Sequence, residues 1–192
     1  MVETFEERLN RILPRLTSTE LLNNKGLGNE IGFYIFDYPP EREMEMRAFL
    51  RDVIEPRLAK HQPPIRAVTI NLFELAIGVL EERKLLDKAI AMQRDKGDDA
   101  VLASLRSVLK EDKLAQRLIT TIDLDNTDLV LLSGVGAVYP MLRTHTLLSA
   151  LHPLMKDKPL VMFYPGRYDG MSLRLFNRLG DDHYYRAFRL VA

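Results

Sequence analysis

Asp128-Leu-Val-Leu-Leu-Ser-Gly-Val-Gly136, Tyr139-Pro-Met-Leu-Arg-Thr-His145 and Pro159-Leu-Val-Met-Phe-Tyr-Pro-Gly-Arg-Tyr-Asp169 decide the fold. The stretch reads as strand, glycine turn, helix, strand and open loop. Its two apolar runs show no alternation, so each strand needs cover on both faces, as in a parallel sheet between helices. The polar, glycine-bearing segments after each run fall at the carboxyl edge, where open α/β sheets bind their ligands.

Further strands lie outward from this centre. Arg66–Asn71 and Phe33–Asp37 precede it, and Tyr184–Val191, mixed in polarity, closes the chain near an edge. Asn71 is placed to cap the next helix, with Glu74 completing a capping box and Leu72, Leu75, Ala76, Val79 and Leu80 as its buried face. A helix over 3–16 follows from Phe5, Leu9, Ile12 and Leu16, with Pro14 disturbing its last turn. Asn23–Gly28 reads as a loop. A second helix runs from Pro40, suited to a first helical position, to about Lys60, with a kink at Pro56. The charged middle, about 83–121, is all helix and reads as an insertion; helices over Pro140–His152 and 172–179 complete the set. The expectation is one α/β domain over 1–192, built on a mainly parallel five-stranded sheet with flanking helices.

Composition removes several classes of function. Hydrophobic residues at 46% and charged residues at 28% describe an ordinary soluble domain, and a net charge of +0 gives no overall pull toward DNA or anionic lipid. From Pro140 onward eight Lys/Arg stand against four Asp/Glu, a surplus of +4 that favours an acidic partner but is too small to indicate DNA contact. The absence of cysteine excludes disulfides and thiolate chemistry. No apolar run approaches the ~20 residues that span a bilayer. The chain reads as cytoplasmic, without a membrane partner.

Familiar chemistries fail on spacing. Phosphate cradles need glycines and a lysine, whereas the first strand-to-helix turn is Tyr38-Pro39-Pro40-Glu41, with two N–H donors removed and acids nearby. The next apolar strand ends in Ser133, where magnesium chemistry would want an aspartate. Gly26-Leu-Gly28-Asn-Glu-Ile-Gly32 precedes a strand instead of following one, so it is no dinucleotide fingerprint. The sheet is therefore Rossmann-like or a degenerate P-loop-like fold. His145 and His152 are seven apart with no acid between them, so no metal site is expected, and no Gly-x-Ser-x-Gly elbow occurs. No cofactor and no catalytic residues are assigned.

Two segments remain. Gly134 and Gly136 allow positive φ and exposed N–H groups, a candidate anion nest with Arg143 and His145 on the following helix; a plain strand-to-helix turn explains the same residues. On that helix Met141, Thr144, Leu148 and Leu151 form the buried stripe. Tyr164-Pro-Gly-Arg-Tyr-Asp-Gly170 combines residue types that dominate binding hot spots. Tyr139, Arg143, Tyr164, Arg167 and Tyr168 are accordingly the candidate partner contacts, against the alternative of a loop packed on its own domain with Asp169 capping the helix over 172–179.

Gly26-Leu-Gly-Asn-Glu-Ile-Gly-Phe-Tyr-Ile-Phe-Asp-Tyr38, Leu132-Ser-Gly-Val-Gly-Ala-Val-Tyr-Pro140, Arg143-Thr-His145, Phe163-Tyr-Pro-Gly-Arg-Tyr-Asp-Gly-Met-Ser-Leu-Arg-Leu-Phe176 and Tyr184-Tyr-Arg-Ala-Phe-Arg189 together resemble the BrxB family, essentially end to end. That resemblance implies a component of bacteriophage exclusion (BREX) defence. It implies a non-enzymatic accessory protein in a multi-subunit assembly, with the alkaline-phosphatase-like protein and the large ATPase of such systems as partners. The alternative carried beside it is a phosphate- or nucleotide-sensing module, or weak hydrolase, of the same system.

Overall fold

A computed structural model describes residues 4–23, 32–180 and 187–191. Strands β1 (Phe33–Tyr38), β2 (Ala67–Asn71), β3 (Leu129–Ser133), β4 (Leu160–Tyr168) and β7 (Phe188–Arg189) form a parallel sheet in the order β2-β3-β4-β1-β7. Two further strands, β5 (Leu173–Leu175) and β6 (Leu179–Gly180), add antiparallel pairs beyond β4. The five expected strands thus pair in parallel, and the two added strands make the sheet mixed and seven-stranded.

Strand alternation divides the core into two layers. Phe33, Ile35, Val130, Leu132, Leu160 and Met162 face one side, under α5 (Leu72–Glu82), α8 (Glu111–Thr121), α9 (Val135–Val138) and α10 (Thr144–Leu151). Tyr34, Phe36, Leu129, Leu131, Val161 and Phe163 face the other, under α1 (Phe5–Leu16), α2 (Thr19–Leu22), α3 (Glu43–Phe49) and α4 (Glu55–Ala59). Apolar cover on both faces is what the unbroken apolar runs demanded, at ~1.5–3 kcal/mol for each large side chain fully buried.

Local chemistry sets the helix ends. Thr4 and Glu7 form a capping box on α1, and Pro14 falls late enough that the helix still reaches Leu16. Pro56 cannot donate and would crowd the carbonyl four residues back. The preceding turn, Leu50–Ile54, widens into a π segment in which the Glu55 N–H reaches the Leu50 carbonyl. In the charged middle, α6 (Leu86–Lys96) buries none of its residues and α7 (Asp98–Leu105) only Leu105, whereas α8 puts Leu114, Ala115 and Leu118 into the core.

The C-terminal third departs from expectation. Tyr139 precedes Pro140 and is held extended, at φ −69° and ψ 139°, and the helix expected from Pro140 does not begin there: a turn follows the proline, α10 starts only at Thr144, and the short α9 lies before Tyr139. The buried residues of α10 are Leu147, Leu148 and Leu151. Tyr164–Tyr168, expected as an open loop, continues β4: Pro165 lies opposite Tyr38 of β1, and Gly166, Arg167 and Tyr168 lie opposite Leu175, Arg174 and Leu173 of β5. No helix forms over 172–179. A Cβ on Gly166 would come within 2.2 Å of the Arg174 carbonyl oxygen, so this crossing of strands admits only glycine. The Asn23–Gly28 loop from Asn24 on, Gly26–Ile31, and the first part of the expected final strand, Tyr184–Arg186, lie outside the described residues.

Tyr168, fully buried, ties these pieces together. Its N–H donates to Asp37 Oδ2 at 2.9 Å, its carbonyl accepts from Arg189 at 2.7 Å, and its hydroxyl donates to the Ala187 carbonyl at 2.8 Å while accepting from the Ala187 N–H at 3.2 Å. Tyr168→Phe strands both Ala187 groups and is expected to cost about 1–3 kcal/mol. Urea unfolding of the variant, compared with the wild type at equal m-value, measures this.

Candidate functional site

The site begins at the ends of β2 and β3. Asn71 Oδ1 accepts from the N–H groups of Phe73 (3.0 Å) and Glu74 (3.4 Å), which starts α5. Glu74 accepts from the Asn71 side-chain amide at 3.2 Å, a variant of the expected box. Gly134 sits in the left-handed region at φ +72°, and a Cβ there would lie 2.1 Å from Asn71 Oδ1. A Cβ on Gly136 would meet Phe176 at 2.9 Å and Pro165 at 3.0 Å. The turn has the backbone that a nest needs, but side chains of its own fold pack against both glycines.

The residues after that turn reach a different space. A cavity of about 570 Å³ lies between the Tyr139–His145 segment and the β5–β6 hairpin, lined by Tyr139, Arg143, His145, Tyr164, Leu175 and Arg178 among others. Arg143 stands at the N-cap of α10, and its N–H points to Glu111 of α8 at 3.4 Å. His145 Nε2 lies 2.9 Å from the Thr146 hydroxyl. Arg143 and Arg178 are exposed, and neither forms an ion pair among the described residues. Among the described residues no Asp or Glu lines the cavity. It offers cationic forks, a ring nitrogen and tyrosine surface, which is chemistry for holding an anionic or planar group.

Tyr139 also belongs to a second, more apolar cavity of about 580 Å³, shared with Phe73, Leu86, Ile90 and Met141. Its ring is 42% exposed and meets Phe176 edge-on, with centroids 6.3 Å apart. It is thus a ridge with an apolar recess on one flank and an arginine-lined recess on the other.

The sequence set Tyr139, Arg143 and Tyr164 among the partner contacts and Arg143 and His145 beside the candidate nest; the fold brings these four to one cavity. Tyr164 is 2% exposed and serves as wall, and Tyr168 faces inward, so neither ring stands on an open loop: alternation along β4 turns both away from solvent. Arg167, on the opposite face of β4, is exposed. Asp169 caps a β-turn, not a helix. It accepts from the N–H groups of Ser172 and Met171 and from the Ser172 hydroxyl, and these bonds hold its carboxyl down to about 2. Arg178 and Phe176 were missed; Asp169-Gly170 between short apolar alternations was the available hairpin signal. At the proline turn, burial pushes the Tyr38 hydroxyl well above its ordinary range, and it donates to Glu43. Among the described residues no three His, Cys, Asp or Glu side chains gather to hold a metal ion, and no helix is long and apolar enough to cross a membrane.

Fold and cavities together define a three-layer α/β protein with a tyrosine ridge and an arginine-lined recess beside its sheet. Residues 68–190 match the family described as BREX protein BrxB. A BREX protein BrxB of Bacillus cereus (strain H3081.97) is 44% identical over 190 residues, covering 97% of each chain. One of Escherichia coli O9:H4 (strain HS) is 37% identical over 187 residues, covering 97% of this chain and 92% of the relative. The chain belongs to the BrxB family, components of BREX phage-defence systems. No solved structure gives a significant match, and no Rossmann or P-loop fold is identified for it.

Gly134→Ala combines a left-handed backbone penalty with displacement of the Asn71 cap, together about 2 kcal/mol or more. Thermal unfolding is expected to show a melting temperature lower by several degrees.

Proposed function

We propose that the chain is a non-catalytic adaptor of a BREX system that docks another defence component across the Tyr139 ridge. The observation that carries this reading is the sharing of one exposed tyrosine by an apolar and an arginine-lined cavity. Aromatic and arginine anchors beside apolar recesses are the usual makings of a binding hot spot. The contacts are Tyr139, Arg143 and Arg178, with Arg167 on a separate face and Tyr164 as support. The alkaline-phosphatase-like protein and the large ATPase are the proposed partners, in the cytoplasm. Tyr139→Ala and Arg143→Ala alter exposed side chains, so both variants are expected to fold. Each is expected to weaken co-purification with the other BREX proteins by roughly thirtyfold in affinity, the usual ~2 kcal/mol of a hot-spot anchor. Undiminished capture by both would overturn the docking face.

A second reading is favoured by the arginine pair alone. Arg143, Arg178 and His145 line a volume of about 570 Å³, within the range of small-ligand sites, and this suits a phosphate-bearing ligand. A nucleotide at a hundred times its dissociation constant adds ~2.7 kcal/mol of stability. The reading expects a thermal shift of several degrees for at least one nucleotide in a panel, abolished in Arg143→Ala. No shift with any nucleotide removes it.

A further inference from the structure

The β4–β5 hairpin sets two arginines against each other. Arg167 and Arg174 are register partners in an antiparallel pair, so their side chains leave the same face with Cβ atoms roughly 5 Å apart. Tyr168, Leu173 and Leu175 face the core, and both arginines are exposed. The next position in the row, opposite Arg174, is Gly180, which adds no side chain. Like charges directly opposite destabilise a strand pair. Nothing among the described residues offsets this one, for neither guanidinium is in an ion pair. Asp169, two residues from Arg167, gives its oxygens to Met171 and Ser172. Asp37, beneath Tyr168, is held by Arg8 and by the Tyr168 N–H.

We propose that the Arg167–Arg174 row is the docking site for an acidic segment of a protein partner, whose carboxylates bridge the two guanidinium groups. The inference rests on the adaptor reading and adds to it a second contact face and the chemistry of what binds there. Planar guanidinium forks match carboxylates two bonds at a time, and a bridging anion turns the repulsion within the row into attraction. A nucleic acid is the poorer occupant. Tight binding to a duplex neutralises many phosphates along a track, whereas this row holds two cations, ends beside the anionic Asp169, and belongs to a chain of net charge +0.

The test uses the full chain co-expressed with the other BREX proteins, as wild type, Arg167→Glu, Arg174→Glu and the double variant. Each single reversal makes an opposite-charge pair and is expected to raise the melting temperature of the purified chain by about 1–3 °C. The double variant restores like charges and is expected to fall back toward the wild type. All three are expected to lose capture of the partner on the order of tenfold or more, and wild-type capture is expected to survive nuclease. A single reversal that lowers the melting temperature overturns the proposal, because the row is then compensated within the chain. So does capture that persists in the variants, or wild-type capture that nuclease abolishes. Wild-type chain that captures no BREX protein removes the adaptor reading as well; wild-type capture with undiminished variants removes this inference alone.

Discussion

Tyr168 is the point on which the carboxyl half of the sheet hangs. Through one residue, β4 is fastened to Asp37 of β1, to Arg189 of β7 and to the backbone of Ala187. Asp37 is itself gripped by Arg8 of α1 at 2.6 Å. A carboxylate at the end of a buried strand thus gains a cation on one side and an amide on the other, which offsets the cost of drawing it out of water. The same arrangement fixes where β4 must stop running parallel and turn back as the hairpin. The cavity wall, the outward arginines and the Asp169 turn all inherit their positions from it.

Two faces result, and they differ in kind. Beneath the hairpin, Tyr139 and Phe176 meet edge-on and divide apolar from cationic space. Outside it, the strand surface carries charge alone. The glycines support this division by being small: Gly136 makes room for Phe176, and Gly166 lets the Arg174 carbonyl approach.

Much of the sheet was legible, because apolar runs such as Leu129–Leu132 and Leu160–Phe163 admit few structures other than a strand covered on both faces. Asn71 as a cap was legible from its side chain alone. The carboxyl third was not. Pro165 and Gly166 read as loop residues by local preference, and only pairing with β1 and β5 makes them strand. Tyr164 and Tyr168 carried hot-spot chemistry, but exposure is decided by alternation, which cannot be assigned until the strand's extent is known. The cavity joins Tyr139, Arg143 and His145, which follow the glycine turn, to Tyr164, which the sequence set in a separate segment. Arg178 joins them through a hairpin whose one local sign was Asp169-Gly170. Membership of the BrxB family was carried by the joint pattern of motifs rather than by any one of them.

The Tyr168–Asp37 hydrogen bond joins residues 131 apart in a chain of 192. Both neighbours of β1 in the sheet, β4 and β7, likewise lie far from it along the chain. Contacts so distant along the chain close slowly. Until they close, β1 is an apolar strand with both edges bare, and α1 to α4 can shield only one of its faces. A folding intermediate in which β4 has not yet docked therefore exposes unpaired strand edges and apolar surface, the features that make such species prone to aggregate.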